Sequence, residues 1–289
     1  MVSELCRDHR LRSAAPGLRL RGPTKLPGCA CPRSGEPPRG QCVVLAPGRS
    51  ARTVVPVTLL RTPDPEQLVV LATGPSAGFA PSIVNEVVCR SPRPYLVVVA
   101  GPPGSGKSTL ADLLAAQLID VGLGVARVDH DEFLRPRRER ETLRQERYPA
   151  GPFAGRTHYQ VLENYFRLDE FSAAVSSLRA HQPTTIVPYA RSTGELSLTP
   201  RVVTPADVIL FDSSELVELM DFVVRIDVTP DLLLARKLVR DAAIRPPEAI
   251  FEMHAVQCDH WARVAPRAPD LVVENDDPSR ATLFARRPS

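Results

Sequence analysis

The strongest constraint on this chain is one run, Val97-Val98-Val99-Ala100-Gly101-Pro102-Pro103-Gly104-Ser105-Gly106-Lys107-Ser108-Thr109-Leu110. β-Branched residues ahead of the glycines favour an extended strand, and Leu110 to Leu118 has helical composition. Between them Gly101 to Ser108 spell G-x-x-x-x-G-K-[ST], the phosphate-binding P-loop. Glycines let the main chain curl until successive N–H groups converge on one centre. The following helix adds its unpaired amides and the positive end of its dipole. Gly101, Pro102, Pro103, Gly104, Ser105, Gly106, Lys107, Ser108 and Thr109 are therefore expected to line a nucleotide phosphate site. Lys107 would bring a point charge to the β- and γ-phosphates, and Ser108 a hydroxyl to Mg²⁺.

The chain has 289 residues, enough for one large α/β domain or two small ones. No apolar run approaches the ~18–20 residues of a membrane helix, and Met1 to Arg7 lacks the apolar segment of a secretion signal. The expected setting is cytoplasmic. The net charge of +3 is unevenly spread. Residues 1–94 hold 13 Lys+Arg against 6 Asp+Glu (+7), leaving 23 against 27 (−4) for the rest. A basic N-terminus invites a nucleic-acid reading, but interleaved aromatics and a helical period are missing, which argues against it. Cys6, Cys29, Cys31 and Cys42 with His9 lack the paired C-x₂₋₄-C spacing of a zinc site, so free thiols are expected.

Fourteen of the 30 prolines precede residue 95. Residues 1–80 are thus expected to be a poorly structured Pro/Gly/Arg-rich extension or a small accessory segment, and 81–289 the main domain. Ile83–Cys89 reads as a helix beside the strand at 95–100. From there strands and helices alternate, the pattern of a parallel sheet flanked by helices. Helix 107–119 is closed by Gly122 and Gly124 and followed by a strand at 125–128. Residues 135–159 read as an arginine-rich loop, and 161–178 as one or two helices. Strands are expected at 184–189, 207–212, 221–227 and 271–274. Helices are expected from Ser213 to Met220, from a Thr229-Pro230 cap through Asp241, and over about 248–264.

In parallel sheets ligands gather at the C-terminal strand ends. Asp212 ends the apolar strand Val208–Phe211 and suits a metal-holding acid, though capping the next helix is an alternative role. Asp131 follows the second strand and is the candidate base for an acceptor hydroxyl, with Asp129 its local rival. Arg236 and Arg240, with Lys237, are candidate cations over the transferring phosphate. Arg156 and His158, and Tyr189 and Arg191, are candidate acceptor-reading residues. His130 and Trp261 read as packing residues.

The order of P-loop, Asp131-Glu132-Phe133, Val187-Pro188-Tyr189, Val208 to Asp212 and Arg236 to Asp241 resembles the uridine kinase, phosphoribulokinase and pantothenate kinase group over about residues 95–275. The resemblance implies a nucleoside-monophosphate-kinase-like P-loop fold with ATP and Mg²⁺. It also implies Asp131 as base, Pro188 and Tyr189 in the acceptor pocket, Asp212 in magnesium binding and Lys237–Asp241 in a lid. Two departures stand out: Asp212 is shorter than the usual glutamate, and Arg245-Pro246-Pro247 replaces an Arg-Gly-Arg lid. The expected activity is transfer of the γ-phosphate of ATP to a hydroxyl of a small molecule, such as a nucleoside or a pantothenate-like alcohol. The alternative is a P-loop ATPase or nucleotide switch acting on a macromolecule. Whether the chain forms a homo-oligomer is left open.

Overall fold

The computed structural model describes residues 68–90, 93–266 and 268–286, all within the compact unit Gln41–Ser289. Most of the N-terminal extension, with Cys6, Cys29, Cys31 and Cys42, lies outside the described residues. In chain order the elements are β1 (Leu68–Gly74), α1 (Ala80–Val88), β2 (Tyr95–Ala100), α2 (Lys107–Asp120), β3 (Val125–Asp129) and α3 (Arg137–Thr142). Then come α4 (Leu168–Arg179), β4 (Thr184–Ile186), β5 (Tyr189–Ala190), β6 (Glu195–Leu196), β7 (Arg201–Val203) and β8 (Val208–Asp212). The chain continues with β9 (Phe222–Asp227), α5 (Pro230–Asp241), α6 (Pro247–Val264), β10 (Leu271–Glu274) and β11 (Ala281–Arg286).

Seven strands form the main sheet in the order β1-β11-β10-β9-β2-β8-β3. β3, β8, β2, β9 and β10 are parallel, while β11 and β1 run antiparallel at one edge. Every residue of β2 and β8 is buried, as a parallel strand covered on both faces requires. Successive side chains go to opposite faces. Val97, Val99 and Leu210 join α1 and α2 through Ile83, Val87, Leu110 and Leu114. Leu96, Val98, Ile209 and Phe211 meet Phe171, Val175 and Leu178 of α4 and Trp261 of α6.

The expected strand–helix alternation is present, and α1 packs against α2 beside the P-loop strand. Helix α2 closes through Gly122 at φ +87, with Leu123 N donating to Leu118 O at 3.0 Å. Several local expectations differ from the structure, each for a visible reason. The loop at 135–159 contains α3. Of the stretch 161–178, Leu168–Arg179 forms α4, but Leu162–Tyr165 is a 3₁₀ turn, because Asn164 Nδ2 is drawn to His158 O and Tyr148 Oη, both at 2.9 Å. The strand expected at 184–189 divides at Pro188, which lacks the N–H a ladder needs; β4 pairs with β7, and β5 with β6. Ser213–Glu215 is a turn because Ser213 Oγ accepts from Glu215 N at 2.9 Å; only Val217–Leu219 is helical, as 3₁₀. Thr229 makes no side-chain cap, and Pro230 opens α5 instead.

β1 pairs with β11 from Leu68↔Arg286 to Gly74↔Ala281, so the sheet begins ahead of the boundary expected at residue 80. No helix among the described residues is long and apolar enough to cross a membrane. Removing residues 1–80 strips β11 of this partner, whereas removing 1–66 spares it. The shorter protein should melt at least about 5 °C below the longer by scanning calorimetry; equal melting temperatures would show that β1 is dispensable.

Candidate active site

β2 runs straight into the cradle. Gly104 and Gly106 adopt φ of +94 and +97, conformations open to glycine. At Gly101 a Cβ would lie 2.5 Å from Ser105 Oγ and 3.2 Å from Ile226 O. Ser105 N donates to Pro102 O at 3.0 Å, and Asn275 Nδ2 donates to Ser105 O at 2.8 Å, closing the loop from behind. Lys107 and Ser108 begin α2, where amides have no partner one turn earlier. The curl therefore fits a phosphate chain.

Lys107 Nζ lies 3.6 Å from Asp212 Oδ1, and Arg127 of β3 lies 3.8 Å from Asp212 Oδ2. Asp212 is buried, and neither carboxylate oxygen makes a hydrogen bond among the described residues. A buried acid with unsatisfied oxygens against Lys107, the residue before the exposed Ser108, fits a divalent cation. Mg²⁺ commonly takes one or two protein ligands and completes its shell with phosphate oxygens and water. Arg127 was not anticipated from sequence, since a basic residue inside a short strand carries no motif. It also forms an ion pair with Asp112 of α2.

Asp129 caps the short 3₁₀ turn His130–Phe133 and Asp131 lies within it, and their surroundings differ. Asp129 sits opposite Asp212 in the β3–β8 register, and its side chain caps the turn through Asp131 N at 2.8 Å. Burial, then the negative charges of Asp131 and Asp212, push its carboxyl up to about 6. Asp131 is more exposed, forms an ion pair with Arg191 and lies within electrostatic reach of Arg240. Tyr189 joins from the same side, its hydroxyl accepting from Arg140 at 2.7 Å with that guanidinium over its ring. His130 is buried against Phe166 and Phe171, and burial holds it neutral, as a packing residue.

The other candidates make contacts of their own, and Arg236 also reaches the P-loop, its Nη1 lying 3.5 Å from Gly104 O. Arg236 donates to the carbonyls of Asn275 at 2.7 Å and Asp276 at 3.0 Å, bracing the loop after β10. Arg240 grips its neighbour Asp241 through both oxygens. Arg156 is paired with Asp259 of α6, and His158 packs on Tyr148 beside Glu146. Lys237 is buried and runs under the P-loop, with Cγ and Cε 3.7 Å from where a Gly104 Cβ would lie. Its Nζ meets His254 Nδ1 at 3.0 Å, and burial pushes the ammonium down to about 8.

A parallel sheet, a P-loop at the end of its central strand and two acids at neighbouring strand ends define a P-loop kinase. The chain belongs to the Phosphoribulokinase / Uridine kinase family, whose model matches residues 96–266, more than half of its length. It is therefore a small-molecule kinase that uses ATP. No curated protein sequence matches it. Among solved structures, the YGR205w protein is similar at 9% identity and TM-score 0.55, over 74% of this chain and 99% of that one. Phosphoribulokinase from Rhodobacter spheroides is similar at 16% identity and TM-score 0.51, over 67% and 80% respectively. These likenesses concern the fold.

Gly101→Ala forces a methyl against Ser105 Oγ and Ile226 O. Affinity for MgATP, measured by titration calorimetry, should fall at least about tenfold, equivalent to ~1.4 kcal/mol; unchanged affinity would mean that the curl is not the phosphate site.

Proposed function

We propose that this protein transfers the γ-phosphate of ATP to a hydroxyl of a small molecule such as a nucleoside or a pantothenate-like alcohol, with Mg²⁺. The observation that carries this reading is the position of Asp131. It stands two residues beyond the end of β3, beside Arg191 and within reach of Arg240, while the neighbouring strand ends in Asp212 against Lys107.

In this reading the P-loop amides hold the phosphate chain, and Lys107 balances charge on the γ-phosphate as it moves. Ser108 and Asp212 would hold the metal, which when bound would supply charge neutralisation to the phosphate chain. Asp131 Oδ accepts the acceptor's hydroxyl proton as its oxygen bonds to phosphorus. The bond from the γ-phosphorus to the β–γ bridging oxygen breaks, and its electron pair leaves with ADP. Tyr189 and Arg191 border the acceptor. Arg236, whose Nη1 reaches the P-loop at Gly104 O, and Arg240 one turn further along α5 are the cations assigned to the transferring group. Arg156 and His158 belong to the acceptor side through the loop that carries them. Family membership favours this over an ATPase directed at a macromolecule. A cytoplasmic setting belongs to the same reading.

ADP production should require one member of a panel of nucleosides, pantothenate-like alcohols, sugar phosphates and hydroxy acids. Stimulation only by protein or nucleic acid would favour the alternative. With the acceptor in hand, Lys107→Ala should lower kcat at least a hundredfold, about 2.7 kcal/mol. Asp131→Asn should lower kcat about 10²–10⁴-fold while MgATP affinity stays within about twofold. Unchanged transfer in Asp131→Asn would remove it as the base.

A further inference from the structure

A buried set of charges on α6 has no part in the transfer just described. His260 is almost wholly enclosed, with Nε2 at 2.5 Å from Glu215 Oε1 and Nδ1 at 3.2 Å from Glu163 Oε2. An ionised carboxylate only accepts hydrogen bonds, and a neutral imidazole has one N–H and one lone pair. Neither ring nitrogen is aligned for a hydrogen bond in this geometry, so the contacts are ionic, and only the doubly protonated ring carries the charge that attracts both carboxylates. Glu163 is gripped as well by Arg263, which also meets Asp259 at 3.4 Å; Asp259 in turn holds Arg156.

The two glutamates come from segments that lead to the two acids of the site. Glu215 lies in the turn leaving β8 just after Asp212, and that turn is fastened to β2 by Ser213 N donating to Val99 O at 3.3 Å. Glu163 lies on the 3₁₀ turn Leu162–Tyr165, which is tied to the segment carrying Asp131. Arg135 N donates to Tyr165 O at 2.7 Å, Arg167 N donates to Phe133 O at 2.8 Å, and Leu134 bridges Phe166. Arg167 Nη2 adds a bond to Glu132 O at 2.8 Å.

We propose that His260 is a positioning residue whose imidazolium clamps Glu215 and Glu163 and thereby holds the Asp131 turn at a fixed distance from Asp212. The proposal rests on the reading of those two acids as base and metal holder. It differs from ordinary packing in depending on charge. The charged and titratable groups acting on the ring are Glu215 after β8, Glu163 on the 3₁₀ turn and His130 from the turn after β3, with Arg263 of its own helix bound to Glu163. Burial works against its protonation, but the two adjacent carboxylates of Glu163 and Glu215 prevail and raise it from the ordinary 6.5 to about 9. A raised folded-state value means that the clamp contributes fully below about pH 6.5 and is lost as pH rises through about 9.

The test uses the full chain and needs no acceptor. With ¹⁵N-labelled histidine, both ring nitrogens of His260 should read as protonated at pH 7.5 and titrate near pH 9. A neutral ring at pH 7.5 overturns the proposal whatever any variant does. In Glu215→Gln the titration should move at least one pH unit toward 6.5; an unmoved midpoint would count against the clamp. In His260→Gln, hydrogen exchange should quicken at least tenfold at 131–135, 162–167 and 213–217. Strands β10 and β11 should keep their protection, and affinity for a non-hydrolysable ATP analogue with Mg²⁺ should stay within twofold. Wild-type protein should loosen in the same three segments above pH 9, after correction for intrinsic exchange, and the variant should lack that step. Uniform loosening, no loosening or a retained pH step would overturn the proposal. A failed acceptor panel would sink the proposed function but leave these readouts in place.

Discussion

Everything at the candidate site hangs from the hydrogen-bonded register of three parallel strands. Asp129 faces Asp212 across β3 and β8, and Asp212 faces Val99 across β8 and β2. The cradle begins two residues beyond Val99, so both acids and the phosphate loop emerge at one edge of the sheet. Strand pairing counts residues, and a slip of one would turn Asp212 to the opposite face. What holds the register is apolar burial on both faces, from Leu96 to Ala100 and from Val208 to Phe211. Ion pairs do not supply it. Those of Asp212 with Lys107 and Arg127 are long, and a buried charge costs free energy that hydrophobic packing must offset.

The same edge gives three nearby acids three environments. Asp212 is enclosed between cations with its oxygens uncommitted, Asp129 is spent as a cap and crowded by negative charge, and Asp131 opens toward Arg191. Residue type alone does not separate them; burial and neighbours do. The turn 130–133 is responsible. It buries His130 between aromatic rings and so presents Asp131 outward, although Asp129 stands closer to the sheet.

The P-loop, the apolar strands and the acids closing them were legible because each is a local pattern: a glycine spacing, a β-branched run, a carboxylate where hydrophobicity stops. The segment from Val161 to Arg167 was not. Its apolar residues recur at helical spacing, yet Asn164 and the Leu134–Phe166 bridge draw the backbone into 3₁₀ turns. β11 escaped notice because it follows a polar turn, and β1, the strand at the sheet's edge, read as an apolar scrap until its partner supplied the ladder. Of the site, Lys107 and Asp212 come together as their positions in the chain suggested. Arg236 and Arg240 share a helix, and the direction of each guanidinium is set by carbonyls and by Asp241, neither visible in a helical period. His260 carries no motif, since its partners come from two distant stretches of chain.

Lys237 lies with its aliphatic stem directly on the main chain at Gly104, where the lack of a side chain leaves nothing between them. Its ammonium is moored to His254 on α6, and Arg240 is one turn further along α5. The glycine thus serves as a seat as well as a bend. The stem of Lys237 joins the phosphate cradle by direct contact to the helix that bears Arg240.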